Sequence, residues 1–496
     1  MEMEKPIYLL LFLLALLVHF LINKLLCWRS SPQLPPGPFA WPIIGNIFQL
    51  GRKPHVSLTN LALTYGELMM LSFGGHHVAV ASSPEAAMQI LRTHDRMLSG
   101  RYVPAVATKL AHESVFPSIA LSEACDDAWR SLRSISISEL FSAKAIESQA
   151  NLREKKMMEM VDYLGRKEGE VVNLEKILFA TTVNSISNIM VTRDLVKLDS
   201  DGGNERLQQL IRTIIEIVSS RNLADLAPML QGLDVWCKRK ARNILVEIKS
   251  LWNDIITERR ERKDGEANTR DFLDALIQNG CSDDQICMWL MEFILAGTDN
   301  VWNTINWSLA HLLKHQEAMS KLCDELSQTT DGNVLRESHL PQMAYLDACI
   351  KETIRLRPPG PFLVPYRAVQ ACKVMNYTIP KDSILLVNFW AIGRDPTIWK
   401  DPLTYKPERF LETKLDFKGA NFIYIPFGEG RRLCPGLNFV VTQVQLLVAS
   451  LVYHFDWSLP HGMDLADLDL DEKFGLSMMK EKPLLLIPSR RKRSTG

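Results

Sequence analysis

The chain has 496 residues, 47 % of them apolar, which is enough to bury a very large core. Its 57 basic and 57 acidic residues cancel, so bulk charge gives no reason to expect a nucleic-acid partner. Nine cysteines without a C-x-x-C pair argue against a disulfide framework or a zinc site and place the folded body in a reducing compartment.

The chain opens on an apolar run. Residues 6–26 are nearly all hydrophobic, and 7–22 is interrupted only by His19. A membrane-spanning helix needs about 20 such residues. Lys24, Arg29, Arg52 and Lys53 follow it and favour a cytosolic body. A cleaved signal peptide is the alternative, but the run is long for a signal core. The expected layout is an anchor over 1–28, a hinge over 29–45 and a catalytic body over 46–496. Pro32, Pro35, Pro36, Pro38 and Pro42 make the hinge a stiff extended spacer.

Residues 68–73 and 78–81 flank Gly74-Gly75 and predict a hairpin. From 84 to 327 helical periodicity dominates, with Pro104, Pro117 and Pro228 as breaks and a polar loop at 264–268. Within it, Trp129 and Arg133 stand at i and i+4 on one helical face. The apolar stretch 286–313 predicts a buried central helix, in which Gly297 costs about 1 kcal/mol relative to Ala. Glu352 and Arg355 are three apart on another helix; taken alone they are a surface pair worth less than about 1 kcal/mol. Short strands are expected near 373–377, 383–387 and 484–487.

One cysteine is set apart by its surroundings, Phe427-Gly428-Glu429-Gly430-Arg431-Arg432-Leu433-Cys434-Pro435-Gly436. Gly428, Gly430 and Gly436 permit positive φ and close approach to a flat ligand. Backbone amides of such a turn can stabilise a thiolate at Cys434. An axial ligand of haem iron has these needs, because thiolate donation favours O–O cleavage. The segment matches every fixed position of Phe-x-x-Gly-x-Arg-x-Cys-x-Gly, and in this the chain resembles the cytochrome P-450 superfamily from residue 35 almost to its end.

The resemblance implies a mainly α fold with small β-sheets (α+β) and a haem b (iron protoporphyrin IX) ligated by Cys434. Phe427, Trp129, Arg133 and Arg432 would be further cofactor-binding residues, the last three donating to haem propionates. Glu352, Arg355 and Arg409 would form a buried charge network beneath the haem. On the opposite side the resemblance assigns catalytic roles to Gly297, Asp299 and Asn300. Gly297 would mark a helix distortion that opens a groove for dioxygen, and Asp299 would deliver protons. The chain departs from the family at Asn300, where threonine is usual; Thr298 cannot replace it, being about 200° round the helix. Asn carries two donors and one acceptor. The departure points towards coupling, ring closure or rearrangement beside simple hydroxylation.

Electrons are expected from NADPH through NADPH-cytochrome P-450 reductase at the endoplasmic-reticulum membrane, where the chain would be a single-pass protein with its body in the cytosol. The basic residues 490–493 are expected to be solvated. By analogy, substrate contacts would come from 101–123, parts of 205–242, 288–300, 361–365 and 474–479. The apolar set there is Val115, Phe116, Ile119, Leu295, Phe362, Leu363, Val364, Leu476 and Met478. It suits a small hydrophobic molecule, with Glu292 or Asn300 available for an amine or phenol. The motifs Arg-Leu-Arg-Pro-Pro-Gly-Pro (355–361) and Leu-Asp-Leu-Asp-Glu-Lys-Phe-Gly-Leu (468–476) resemble plant microsomal members, most of all those that act on isoquinoline or tropane alkaloids. The leading expectation is an O2- and NADPH-dependent monooxygenase. Alternatives are a terpenoid or phenolic hydroxylase, a reductase-independent isomerase or dehydratase, and a non-catalytic membrane scaffold.

Overall fold

Thirty-two consecutive helical residues, Asp283–Lys314, run through the middle of the molecule and organise the rest. A computed structural model describes residues 33–41, 44–104, 118–199, 205–219, 235–262, 270–330, 334–419, 421–460, 463–475 and 477–491. The expected anchor, the first part of the hinge, Pro117, Pro228, the loop 264–268, Val115, Phe116, Leu476 and residues 492–493 of the tail lie outside them.

The central helix starts at a reciprocal cap. Gln285 N donates to Ser282 Oγ (3.4 Å) while Ser282 N donates to Gln285 Oε1 (2.9 Å). Twenty-two of its side chains are buried, among them Leu290, Ile294, Ile305 and Trp307 at 0 or 1 % exposure, so it is a core helix on nearly every face. The helix Leu174–Val191 packs along one side and Leu437–His454 along another. Leu437–His454 is long and apolar enough to cross a membrane, but Leu446, Leu447 and Leu451 are fully buried inside the body.

The predicted hairpin forms, with Leu68–Phe73 antiparallel to His76–Ala81. His76–Ala81 then pairs in parallel with Ile384–Val387, which carries Tyr366–Arg367 and finally Gly100–Arg101 on its far edge. The expected later strands are found at Cys372–Val374, Tyr377–Ile379 and Leu485–Arg490. This sheet brings residue 101 beside residue 366 and so carries two distant loops to one place.

The second half of the hinge departs from a free spacer. Met70 N donates to Pro36 O (2.8 Å) and Thr378 N to Gln33 O (2.8 Å). Gly37 and Gly45 lie so close to the hairpin that a Cβ would stand 1.8 Å from Met70 O and 1.9 Å from Ser72 O. The prolines keep this segment extended, and its carbonyls find partners on the body. It is a strap laid on the sheet.

Candidate active site

The cysteine loop is held at both ends before any ligand is considered. Cys434 N donates to Phe427 O (3.1 Å), and Gly428 and Gly430 take φ of 74° and 72°. At Gly430 a Cβ would meet Leu91 O at 2.2 Å, so the turn also depends on a close approach. Gly436 corrects the expectation: its φ is −86°, and a Cβ there would make only ordinary contact with Phe141. Its contribution is the amide that points at Cys434 Sγ. Burial pushes the Cys434 thiol up, while that amide and the guanidinium of Arg133 act against the shift. Cys287 has neighbouring carboxylates instead and is pushed up to about 12, by burial first and then by Asp284 and Asp283.

Three guanidiniums surround the loop. Arg133 Nη2 donates to Leu433 O (2.6 Å), the residue before the cysteine. Arg432 gives Nε to Ser99 O (2.9 Å), Nη1 to Ile119 O (3.1 Å) and Nη2 to Ser122 O (2.6 Å). Arg101, which the sequence did not single out, donates to Val364 O and lies 4.1 Å over the Tyr366 ring, with its Nε unpartnered. Trp129 is flanked by Arg432 at 4.8 Å and Arg133 at 5.3 Å from its ring, and its Nε1 donates to Ile119 O (3.1 Å). Among the described residues none of these three arginines is paired with a carboxylate. Burial lowers the pKa of all three, the sign of desolvated cations without a counter-ion. Such a cluster beside a cysteine loop suits a flat ligand with carboxylate arms, as haem is. The tips of Trp129, Arg133 and Arg432, all three expected on propionates, rest on backbone carbonyls here.

Behind the loop lies a closed charge network. Arg355 holds Glu352 through both its Nε (2.7 Å) and Nη2 (2.8 Å), and Arg409 Nε donates to the same carboxylate (3.0 Å). Glu352 and Arg355 are fully buried and Arg409 is 9 % exposed, so this is the buried network and not a surface pair. Arg355 also caps Gly393 O, Pro402 O and Thr404 O, tying four segments together.

Across from the loop, the central helix turns one unusual face outward. Ala296 and Asn300 are exposed in the middle of a helix whose flanking residues are buried, with Glu292 one turn earlier on the same face. Ala296 and Asn300 leave this face of the helix open. Asn300 makes one long hydrogen bond, Nδ2 to Ala296 O at 3.4 Å. Thr298 is fully buried with its hydroxyl unpartnered, on the opposite side as the helical rotation required. Asp299 is buried; its Oδ2 accepts from Ser477 Oγ, and burial raises its pKa.

Gly297 has a packing role. The helix runs unbroken from Asp283 to Lys314, through this glycine. A Cβ there would stand 2.3 Å from Ile186 Cδ1 of the neighbouring helix.

Glu292 has a defined task. Its Oε1 accepts from Ser118 Oγ (3.0 Å) and Ala120 N (2.7 Å), which pins the segment 118–120 to the central helix. The Ile119 carbonyl between them takes both Trp129 and Arg432, so one short stretch couples the helix, Trp129 and the cysteine loop. Ser118, Arg101 and Ser477 lie within expected contact stretches but were not singled out because they act from afar, Ser477 being 178 positions from Asp299; Ile119, expected as an apolar contact, acts through its carbonyl. Of the expected apolar contacts, Val364 is 41 % exposed and Leu363 lies near Gly428, whereas Met478 is fully buried and Phe362 packs on Phe474, so these two belong to the core.

Comparison with known proteins agrees with this arrangement. The family model described as Cytochrome P450 matches residues 35–487. (S)-N-methylcoclaurine 3'-hydroxylase isozyme 1 of Papaver somniferum is 44 % identical over 93 % of this chain and 96 % of its own length. Isozyme 1 of the same enzyme from Eschscholzia californica is 42 % identical over 97 % and 99 %. Corytuberine synthase of Coptis japonica is 39 % identical over 97 % and 99 %. With the cysteine loop, the buried charge network and the central helix already in place, the chain belongs to the cytochrome P450 family, the haem-thiolate monooxygenases that draw electrons from NADPH through a reductase.

Proposed function

We propose that this enzyme oxidises a hydrophobic plant alkaloid related to N-methylcoclaurine, with Cys434 as the residue that would ligate its haem iron. When bound, the haem supplies reductive activation of dioxygen. The chain's own residues do the rest. Arg101, Arg133 and Arg432 would hold the acidic arms of the cofactor, and Trp129 and Phe427 would shape its seat. The Gly436 amide and Arg133 favour the thiolate at Cys434. Asp299 relays protons by way of Ser477, and Gly297 keeps the helix seated where Asp299 and Asn300 act. Glu292 closes the segment 118–120 over the open face of the helix and keeps a carboxylate beside it. A layout of anchor 1–28, hinge 29–45 and body 46–496 would place the body at the cytosolic face of the endoplasmic-reticulum membrane beside the reductase.

The observation that carries the substrate class is identity of 42 and 44 % to the two hydroxylases over nearly the whole length of each chain. Asn300 favours a second outcome, ring closure or coupling without retained oxygen, because an amide replaces the hydroxyl usual in the family. The test is purification of the full-length protein with its haem and a screen of (S)-N-methylcoclaurine and other alkaloids, phenolics and terpenoids with NADPH and reductase. Alkaloid oxidation dependent on both NADPH and reductase is expected. Turnover without reductase would identify an isomerase or dehydratase. A full thiolate spectrum with no product from any compound would point to a scaffold.

A further inference from the structure

The strands Glu472–Lys473 and Met479–Lys480 pair over two residues each, and so short a ladder cannot fix its own tip. The first leg is tied outward. Glu472 meets Lys53 (3.1 Å) and His55 (3.4 Å), and the Phe474 ring stacks on His55 at 5.6 Å. The second leg, with Ser477 and Met478 both buried, lies against the central helix.

Three side chains spaced one turn apart on that helix meet this leg. Asp299, Asn303 and Trp307 stand at i, i+4 and i+8 and so form one row. Ser477 Oγ donates to Asp299 Oδ2, while Asn303 Nδ2 (2.5 Å) and Trp307 Nε1 (2.9 Å) both donate to Met478 O. Met478 N donates to Pro359 O (2.9 Å), so both backbone groups of this residue are held. Asn303 and Trp307 are fully buried, and taking a donor from a buried carbonyl is costly. Ser477 is the next residue along, so the grip on Met478 also sets where its hydroxyl stands.

We infer that Asn303, with Trp307 behind it, is a positioning residue for Asp299: by holding Met478 O it seats the Ser477 hydroxyl on the Asp299 carboxyl. The inference rests on the relay role proposed for Asp299, but the seating belongs to the folded chain and is read without turnover.

The surrounding charges allow such a reading. Burial raises the Asp299 pKa, and the hydrogen bonds from Ser477 and Trp302 act against that rise. From the helix Leu174–Val191, Glu175 feels the Asp299 charge, and Arg212 stands 3.6 Å from Glu175. Arg357 and Lys480 lie over the Trp307 ring at 5.0 and 4.9 Å. Shortening Asn303 removes none of these groups. Releasing Ser477 should therefore move the Asp299 titration upward.

The test uses the full-length, haem-loaded protein in detergent micelles. Melting temperature is followed against pH for each variant with and without Asp299→Asn. The pH interval over which Asp299→Asn gains on its own parent reports the Asp299 titration. Asn303→Ala should move the upper end of that interval up by about one pH unit. Ser477→Ala should move it as far, and the two together no farther. Ile305→Ala, fully buried on the same helix, should lower melting without moving the interval. If Asn303→Ala fails to fold, Trp307→Phe, which keeps a ring beneath Arg357 and Lys480, should shift it in the same direction. An interval that Asn303→Ala and Trp307→Phe leave in place would overturn the inference. So would additive shifts in the double variant, or an equal shift from Ile305→Ala. Failure of the relay reading looks different: the interval moves as expected, but product formation keeps its pH profile in Asp299→Asn.

Discussion

The cysteine loop with its supports and the facing side of the central helix are built by opposite means. Among these supports Arg355 alone makes hydrogen bonds to Glu352, Gly393, Pro402 and Thr404, and Arg432 uses three carbonyls. On the open face of the helix, Ala296 makes no polar contact through its side chain and the Asn300 amide has one bond of 3.4 Å among the described residues. The first region is over-determined, so a lost group there strands a partner in the interior. The second has little to lose structurally and is free to vary with the chemistry. Substitutions behind the loop should therefore remove the cofactor, whereas those on the open face of the helix should leave it bound and change what it does.

The largest effect is expected at Arg355→Ala. It leaves Glu352 buried beside one remaining guanidinium, a loss of about 3–5 kcal/mol for a broken buried pair, and the protein should be recovered without haem. A normal Soret band in that variant would show that the network does not support the loop. Gly297→Ala comes next. The new methyl meets Ile186 Cδ1 at 2.3 Å, an overpacking of about 1–3 kcal/mol that the gain of about 1 kcal/mol in helix propensity only partly offsets. Melting should fall in the single variant and recover when Ile186→Val is added. No recovery would remove the packing explanation and return the glycine to the conformational role expected from the sequence.

Asp299→Asn tests the charge of the helix. Burial raises the Asp299 pKa above its ordinary 3.8, so between the two values the folded protein holds more protons than the unfolded chain. Stability from this group is present below the ordinary value and lost as pH rises through the raised one. The Asn variant lacks that loss, so it should gain on the parent as pH rises through the window. Its product formation should also lose the acid limb of the pH profile if the carboxylate relays protons. Matching pH profiles of melting and turnover would contradict both readings. The smallest structural effect belongs to Asn300→Thr, within about 0.5 kcal/mol because the side chain is exposed with one weak bond. Here the expected change is in chemistry: more hydroxylated product per NADPH consumed. An unchanged product ratio would strip the Asn300 departure of mechanistic meaning.

The same contrast explains what the sequence made legible. The hairpin of 68–81 and the cysteine loop are local, since turn glycines and a spaced motif act on their own neighbours. Glu352 and Arg355 were visible as a pair, and the resemblance added Arg409 and burial; only the fold shows the three carbonyls that Arg355 also holds. The clamp at Ile119 was not legible, because a backbone carbonyl carries no side-chain signature; nor was the Ser477 hydroxyl that meets Asp299. Gly436 was misread for a related reason: it looks like a conformational residue in the sequence, yet it has negative φ and offers an amide, while Gly297 also makes room for Ile186. A glycine states that a side chain is absent and not why.

The most direct test of the comparison is the reduced carbon-monoxide difference spectrum of the full-length protein, taken for the parent, Cys434→Ser and Asn300→Thr. A thiolate-type Soret band in the parent and in Asn300→Thr, and its loss in Cys434→Ser, is the predicted result. A thiolate band that survives in Cys434→Ser, or disappears in Asn300→Thr, would contradict the division between a fixed proximal side and an adjustable distal one.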